Sequence, residues 1–316
     1  MDKQKLEQVL QKYQLTQRQK IEAARQIFSH LVQGKNKSCY PTAVIVAGQP
    51  GAGKTNLALL SSEHLPDAVM LDIDDFRPFH PYYDKIITND PDYFAPTTNK
   101  FISEMSAIVT EWLIQEEYDM ILHKTFKGDA VIFDTVEPLK MAGYNVIVQS
   151  LAVHGIESKL SAMERSQFER SVFGHCRWIN FDYHDLAHDN LGIISSTLEN
   201  NEVIDCAQVF VRGTVETAPQ LIYSHNISGA PNSLNTQNVN TEVFADSNEA
   251  IDFSRKATAS SLTSFEERLK NLKAQAMSDY EMDLILQLEQ TYQNTPLSEL
   301  MIVTPTFNDV PKQPHA

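Results

Sequence analysis

A glycine-rich motif close to the first apolar run constrains this chain more than any other feature. Residues 48–55 have the sequence GQPGAGKT, which matches the pattern G-x-x-x-x-G-K-[ST]. An apolar, β-branched run at 43–47 precedes the motif, and a helical pattern follows it from Asn56. A loop in this strand–loop–helix context wraps nucleotide phosphates with backbone N–H groups at a helix N-terminus. The sequence therefore predicts a P-loop that binds a nucleoside triphosphate.

P-loop chemistry predicts roles for individual residues of the motif. Lys54 is expected to reach the β- and γ-phosphate oxygens, and the hydroxyl of Thr55 is expected to ligate Mg²⁺. The alternative is a glycine-rich connection with a surface lysine, which the flanking strand and helix patterns disfavour. The residues expected to contact the nucleotide are Gly48, Gln49, Pro50, Gly51, Ala52, Gly53, Lys54, Thr55 and Asn56.

The composition favours a soluble protein of the cytoplasm. The net charge of −15 argues against a general nucleic-acid binder, because neutralising phosphates needs a basic surface. Cys39, Cys176 and Cys206 lack C-x-x-C spacing, so the sequence predicts neither a zinc site nor a disulfide framework. It contains no signal segment and no apolar run of the ~20 residues that a membrane span needs. We therefore expect a cytoplasmic protein that contacts neither nucleic acid nor membrane.

Apolar patterning predicts that strands and helices alternate through the middle of the chain. The predicted strands span 43–48, 68–73, 119–124, 145–153 and 207–212, and the predicted helices span 54–64, 98–116, 128–142, 156–173 and 181–200. Such alternation indicates parallel strands joined by crossover helices. The expected fold is therefore α/β, with a P-loop NTPase-like parallel sheet flanked by helices.

Four segments are expected from the patterning along the chain. The first 36 residues form a helical extension in which apolar spacing over 3–34 is interrupted near Thr16. The P-loop domain follows over 41–225. A linker or loose segment rich in Asn, Ser and Thr is expected over 226–260, and a helical tail with a frayed end over 261–316.

An acidic turn follows the second predicted strand, where Asp72, Asp74 and Asp75 stand within four residues. Ligands of α/β sheets bind outside the carboxyl ends of the strands, so these carboxylates are expected at the same edge as the P-loop. A guanine-reading N-K-x-D motif is missing, because Asn99-Lys100 is followed by Phe and Ile. The pattern therefore favours a small-molecule kinase over a GTPase.

These motifs resemble those of the zeta toxin family, from Val44 to about Gly213. The shared residues are the P-loop, Asp74, Phe76, Arg77, His80, Pro81, Tyr118, Thr125, Glu157, Ser158, Leu160, Ser161, Arg165, Arg177, His184 and Asp185. Zeta toxins are P-loop kinases of bacterial toxin–antitoxin systems that phosphorylate UDP-N-acetylglucosamine. The resemblance implies an ATP- and Mg²⁺-dependent phosphotransferase with an antitoxin protein as partner.

The resemblance also implies catalytic roles for four residues, of which Lys54 is the first. Asp74 matches the family's catalytic base, which accepts the proton of the acceptor hydroxyl. Arg165 and Arg177 match two arginines that stabilise the charge of the transferring phosphoryl group. Arg177 lies in a break between helices that would act as a lid. For Arg165 the alternative is an exposed ion pair with a glutamate of its own helix.

Two residues of the acidic turn keep alternative roles. Asp72 either supports Mg²⁺ through water or is structural. Arg77 either clamps a substrate phosphate or pins the loop through a carboxylate, since its forked guanidinium suits both.

The acceptor side departs from the family pattern. Thr125 matches a substrate-contacting threonine, but the family's Glu-Gly-Thr is replaced by His123-Lys124-Thr125. A second substrate carboxylate of the family falls on Ala107. We therefore expect UDP-N-acetylglucosamine to be a poor acceptor or to bind differently. His123 is expected to contact an acceptor with more negative charge nearby.

The leading hypothesis is a kinase that phosphorylates a hydroxyl of a nucleotide-sugar or nucleotide-like metabolite, as the toxin of a toxin–antitoxin system. Two alternatives stay open, namely a P-loop module that only binds nucleotide and a metabolic small-molecule kinase without a toxin role. The helices over 3–34 are expected to restrain the kinase domain, to offer a partner surface, or simply to cover the core.

Overall fold

The centre of the molecule is a six-stranded sheet with strand order β2-β3-β1-β4-β5-β6. The computed structural model describes residues 3–214, 216–229 and 244–300. The strands are β1 (Thr42–Ala47), β2 (Val69–Leu71), β3 (Met120–Lys124), β4 (Asn145–Ala152), β5 (Cys206–Val211) and β6 (Gln220–Asn226). The first five are parallel, and β6 is antiparallel to β5. This confirms the predicted α/β fold, and it adds β6, which the patterning did not predict.

Helices cover both faces of this sheet. They are α1 (Lys3–Lys12), α2 (Gln17–Leu31), α3 (Lys54–His64), α4 (Tyr83–Asn89), α5 (Phe94–Gln115), α6 (Glu137–Met141), α7 (Gly155–Phe173), α8 (Phe181–Asn200), α9 (Ser247–Thr258), α10 (Phe265–Gln275), α11 (Asp279–Asn294) and α12 (Leu297–Leu300). Short 3₁₀ helices span Ile73–Phe79, Pro91–Tyr93 and Ala259–Ser264, and a π-helical turn spans Ile132–Val136. None of the helices in these described ranges has the length and apolar composition needed to cross a membrane.

The burial of strand β1 on both faces of the sheet explains why its sequence is continuously apolar. Every residue from Thr42 to Ala47 is buried. Ile45 belongs to the core on one face of the sheet, whereas Val44 and Val46 belong to the core that includes Leu57 of α3 on the other face. A parallel strand covered on both sides needs apolar residues at every position, not at alternate ones. The strand thereby fixes the P-loop that follows it at the carboxyl edge of the sheet.

The N-terminal helices pack on α5, and α2 also contacts the 3₁₀ helix that follows β2. A capping box at Thr16 begins α2, which confirms the interruption expected there. Ala24 and Ile27 of α2 are fully buried in the main core. Tyr13, after α1, donates a hydrogen bond of 2.8 Å to Asp90. These contacts are those of helices that cover the core.

The segment expected to be a linker contains a packed helix, and this corrects the expectation for residues 247–258. Ala250 and Ile251 of α9 are fully buried, and Ser254 Oγ donates to the carbonyls of Ala152 and Phe210 at 2.8 and 3.1 Å. Polar composition misled the prediction, because only one face of α9 carries the apolar residues. Residues 230–243 of that expected linker, and residues 301–316 of the expected helical tail with its frayed end, lie outside the described residues.

The C-terminal helices form a separate core with α7. Phe265 and Leu269 of α10 and Leu288 of α11 are buried in a cluster that includes Leu160 and Met163 of α7. Helix α7 is thus held between the P-loop, which contacts its Ser158, and the tail of the chain.

Candidate active site

The P-loop connects β1 to α3 and rests on the first turn of α7. Gly51 and Gly53 have φ angles of +79° and +97°, which glycine adopts without strain. A Cβ on Gly51 would lie 1.9 Å from the carbonyl oxygen of Ser158, so no other residue fits there. The glycines of the motif are therefore required both by the turn and by close packing against α7.

Gln49 ties the loop to a buried polar network. Its side-chain amide donates to the carbonyl of Val153 at 2.6 Å and to Ser158 Oγ at 3.3 Å. Ser158 Oγ lies 2.7 Å from Nε2 of His184, whose Nδ1 lies 3.0 Å from Asp185. Burial lowers the pKa of His184 to about 4, so the ring is neutral at pH 7. Ser158 and His184 are inaccessible to solvent, so this chain of contacts holds the P-loop and does not serve as a nucleophile.

The Lys54 amine is folded onto the loop itself. Its Nζ donates to the carbonyls of Gly48 at 2.8 Å and Gln49 at 3.2 Å. Burial lowers the pKa of Lys54 to about 8, while the charge of Asp72 opposes the shift and that of Arg165 adds to it. Lys54, Asp72 and Arg165 are therefore close enough to share one electrostatic environment.

Asp72 begins the 3₁₀ helix that carries Asp74. One oxygen of Asp72 accepts the N–H of Asp74 at 3.1 Å, and the other lies 3.0 Å from Nδ1 of His123. Burial raises the pKa of Asp72, but the hydrogen bond and charge of His123, the N–H of Asp74 and the charge of Arg177 together outweigh burial and hold the pKa well below its usual range. The Asp72 carboxylate is therefore ionised and accepts a hydrogen bond from Nδ1–H of His123. The strand predicted over 68–73 ends at Leu71, so Asp72 lies outside it and caps the 3₁₀ helix instead.

Asp74 is held by two arginines. Arg77 donates to Asp74 Oδ1 from Nε at 3.0 Å and from Nη2 at 2.7 Å. Nη1 of Arg177 contacts the other oxygen, Asp74 Oδ2. The sequence-predicted base and one of the two predicted arginines are thus in direct contact.

All five N–H donors of the Arg77 guanidinium are bonded to other residues of the protein. Besides its two bonds to Asp74, the guanidinium donates to the carbonyl of Ala95, to Thr98 Oγ1 and to Asn99 Oδ1. These five bonds match the five N–H donors of an arginine side chain. Arg77 is also buried. The structure therefore favours the pinning role of Arg77 over the role of a substrate clamp.

Glu169 brings the two predicted arginines together. It pairs with Arg177 through Nη2 and lies 3.6 Å from Nε of Arg165. Burial lowers the pKa of Arg165, and the neighbouring charge of Arg177 adds to this shift. The ion pair that was the alternative role for Arg165 is present, but it faces the cluster of Arg177 and Asp74.

The segment after α7 brings Arg177 to this cluster. Gly174 ends α7 with a φ angle of +74°. The ring of His175 then packs against Phe94 and Tyr83, with ring centres 4.3 and 6.1 Å apart. The predicted lid is thus anchored on the helices beside Asp74.

On the acceptor side, the structure gives His123 a partner, Asp72, and it pairs the glutamates on either side of position 107 with other residues. Nε2 of His123 is buried and has no hydrogen-bond partner among the described residues. Glu104 pairs with Lys20 at 2.6 Å, and Glu111 accepts a bond from a glutamine of its own helix. Thr125 follows β3 and is half-buried. The two glutamates nearest to position 107 are therefore engaged elsewhere.

The oxygen donors at this edge suit a hard divalent cation. Thr55 is the second residue of α3, and the Asp72 carboxylate is close enough to Lys54 to oppose the lowering of its pKa. Mg²⁺ prefers such hydroxyl and carboxylate oxygens together with phosphate oxygens and water. No group of three or more His, Cys, Asp or Glu side chains that could hold a metal by itself occurs in the described part of the chain.

Comparison with known proteins identifies the family. Residues 28–226, more than half of the chain, match the zeta toxin family model. Toxin zeta of Enterococcus hirae is 29% identical over 136 residues, which are 43% of this chain and 48% of that protein. Toxin PezT of Streptococcus pneumoniae is 26% identical over 185 residues, which are 58% of this chain and 73% of that protein. The chain thus spans about half the length of the curated zeta toxins it matches.

Solved structures share the fold. A chain from the PezAT chromosomal toxin–antitoxin system of Streptococcus pneumoniae has a TM-score of 0.63 at 19% identity, covering 92% of this chain and 99% of that chain. A chain of the AvrRxo1-ORF1:-ORF2 complex has a TM-score of 0.53 at 11% identity, covering 87% and 85%. At these identities the likeness shows the fold alone, whereas the family match covers the P-loop, Asp74 and both arginines. The chain belongs to the zeta toxin family.

Proposed function

We propose that this protein is an ATP-dependent kinase that transfers the γ-phosphoryl group to a hydroxyl of a nucleotide-sugar or nucleotide-like metabolite, as the toxin of a toxin–antitoxin system. The observation that carries this proposal is the contact between Asp74 and Arg177 in the electrostatic environment of Lys54. A module that only binds nucleotide would need neither a base nor an arginine beside it. The assembled cluster therefore favours an enzyme over a binding module.

In this proposal Lys54 and Arg177 exchange their present partners for phosphate oxygens. Lys54 leaves the carbonyls of Gly48 and Gln49, and Arg177 leaves Asp74 Oδ2. Because phosphoryl transfer spreads negative charge over the γ-oxygens, both cations gain a stronger partner as the reaction proceeds. Arg165 adds a third positive charge on the same side.

Departure of Arg177 would free Asp74 Oδ2 to accept the proton of the acceptor hydroxyl. Arg77 remains on Oδ1 and keeps the carboxylate oriented. Bound Mg²⁺, held by Thr55 and Asp72, would neutralise part of the phosphate charge. Asp74 therefore needs only to orient and deprotonate the hydroxyl as it attacks in line.

The acceptor is inferred from what replaces the family's substrate carboxylates. His123 stands at one position and exposed Ala107 at the other. A carboxylate accepts hydrogen bonds from two hydroxyls, whereas the His123 ring, with Nδ1 directed to Asp72, has only Nε2 left for a contact with the acceptor. Each lost charged hydrogen bond is worth ~1.5–3 kcal/mol, so losing two weakens binding by roughly 10²–10⁴-fold. We therefore propose an acceptor other than UDP-N-acetylglucosamine, contacted by His123 and Thr125.

The proposed partner is an antitoxin protein. Two solved structures with this fold come from a toxin–antitoxin system and from a two-protein complex. The helices over 3–34 are proposed to complete the core, because α2 buries Ala24 and Ile27 in it.

The test is transfer of label from γ-labelled ATP by the purified chain to a panel of nucleotide-sugars and nucleotides. We expect a labelled product other than that of UDP-N-acetylglucosamine, and no product with Lys54→Ala. Efficient phosphorylation of UDP-N-acetylglucosamine would contradict the assignment of the acceptor. ATP binding without transfer to any acceptor would favour the binding module. Transfer without growth arrest on expression would favour a metabolic kinase.

A further inference from the structure

Arg212 follows the last residue of β5 and lies against the outer side of the P-loop. Its Nε, Cδ and Cγ atoms lie 3.6–3.9 Å from the position that a Cβ on Gly53 would occupy. Its Nη1 donates to the carbonyl of Gly51 at 3.4 Å. The guanidinium therefore lies beside the two glycines that shape the loop, although it belongs to none of the motifs found in the sequence.

Only one end of this guanidinium is anchored. Nη1 donates to Ser161 Oγ at 3.1 Å and lies 3.5 Å from Glu157 Oε1. Nε and Nη2 donate to no atom of the residues that the structure describes, and the Arg212 side chain is 31% exposed. Arg268 of α10 differs, because all three of its guanidinium nitrogens are bonded to Glu157, Glu164 or Ser161. The Arg212 side chain is thus fixed in place, while Nε, Nη2 and the plane of the guanidinium remain available to a ligand.

The strand order determines which part of a nucleotide can approach Arg212. Asp74 follows β2, two strands to one side of β1, and β5 lies two strands to the other side. In-line transfer needs the γ-phosphate nearest to the base, so it lies on the Asp74 side of the P-loop. The nucleoside of a nucleotide whose β-phosphate occupies the loop must then extend the other way, toward β4 and β5. Arg212, which follows β5, places a cation at that end of the loop.

We propose that Arg212 binds the nucleoside half of the nucleotide, with its guanidinium plane against the face of the base. A planar, weakly hydrated cation stacks well on an aromatic ring. This inference rests on the proposed function only in that it places a nucleoside triphosphate in the P-loop. It also gives the C-terminal helices a role in the site, because Arg268 holds Glu157, the residue that anchors Arg212.

The experiment measures binding of Mg²⁺–ATP and of Mg²⁺–tripolyphosphate to the full chain by calorimetry. Arg212→Ala should weaken ATP binding by about 3- to 30-fold, the range expected for a cation on an aromatic face. Tripolyphosphate lacks a nucleoside, so its affinity should stay unchanged. Arg212→Lys retains the charge but not the plane, and it should also lose ATP affinity. Arg25→Ala, which removes an exposed arginine of α2, should bind both ligands normally.

The outcomes separate this inference from the proposed function. Unchanged ATP affinity in Arg212→Ala, equal losses for ATP and tripolyphosphate, or full ATP affinity in Arg212→Lys would each overturn the stacking role of Arg212. Failure of the unaltered chain to bind either ligand would instead overturn the proposed function, and this inference with it. If thermal unfolding shows that Arg212→Ala does not fold, the ATP affinity of Arg212→Lys decides whether the stacking role holds.

A double-mutant cycle tests the positioning role of Arg268. Arg268→Ala should weaken ATP binding less than Arg212→Ala, and it should cause little further loss when Arg212 is already alanine. A purely structural role for Arg268 would lower the affinities for ATP and tripolyphosphate alike. In that case Arg268→Ala would also weaken ATP binding further when Arg212 is already alanine. Either result would overturn the positioning role of Arg268.

Discussion

Arg177 lies 103 positions after Asp74 in the chain, and its guanidinium contacts the Asp74 carboxylate directly. In the proposed function, Asp74 is the base, and Oδ2 becomes available for the proton of the acceptor hydroxyl when Arg177 moves to a phosphoryl group. The contact would then link closure of the predicted lid to release of the base. Both side chains remain partly exposed, 25% for Arg177 and 32% for Asp74, so the pair can be reached from solvent.

The first prediction concerns Arg177 itself. Arg177→Ala should lower kcat by about 10³–10⁵-fold, the effect of removing an arginine from a phosphoryl-transfer site. ATP affinity should fall little, because the interaction strengthens as charge develops on the γ-oxygens. Arg177→Lys should not restore the rate, since its single ammonium cannot bridge Asp74 and Glu169 as the guanidinium does. A rate within tenfold of the unaltered enzyme would show that Arg177 is an ordinary ion-pair residue. Single-turnover kinetics measure this step.

The second prediction concerns Arg77, for which the structure favours the role of pinning the loop. Arg77→Ala leaves the acceptors around it without a donor, so the free energy of unfolding should fall by about 2–4 kcal/mol. Arg77→Lys should be nearly as destabilising, because an ammonium cannot make five bonds in that geometry. Urea unfolding measures both, with Arg25→Ala as the exposed control. Near-normal stability with a raised KM for the acceptor would instead restore Arg77 as a substrate clamp.

The P-loop and the alternation of strands and helices were predictable because they are local. Each predicted strand from β1 to β5 has its own apolar run, and the glycines lie in one continuous motif. Strand β6 and helix α9 were not predicted, because short, partly polar elements acquire their burial only by packing on β5. For the same reason Arg212, 161 positions after Gly51, has no signal in the sequence. The pinning of Arg77 was only one of two possibilities, because its partners Ala95, Thr98 and Asn99 lie on another helix.

The third prediction concerns the N-terminal helices. Ile27 is fully buried in the main core, so Ile27→Ala should destabilise the protein by about 2–5 kcal/mol. Deletion of residues 1–36 should therefore yield insoluble protein, because it exposes the surface that α2 covers. A soluble truncation with higher kinase activity would contradict this and would support the restraint role. Solubility and labelled-ATP turnover of the truncation decide between the two.

The fourth prediction is a loss of stability in acid caused by His184. Burial lowers the pKa of His184 from 6.5 to about 4, so between these values the unfolded chain takes up a proton that the folded chain does not. Stability should therefore decrease as the pH falls from 6.5 to 4, with His184 contributing at most about 3 kcal/mol. His184→Gln should reduce this slope, whereas His64→Gln, at an exposed position, should keep it. An unchanged slope in His184→Gln would show that the other buried histidines dominate.

The central claim is that Asp74 is the base of a phosphotransferase whose nucleotide is bound by Lys54. The most direct measurement pairs ATP affinity with phosphoryl transfer in Lys54→Ala and Asp74→Ala. Both variants should lose transfer. Lys54→Ala should also lose ATP affinity, because its amine contacts the phosphates, whereas Asp74→Ala should keep it, because Asp74 acts on the acceptor hydroxyl. Equal loss of ATP affinity in both variants, or transfer that persists in Asp74→Ala, would contradict the account.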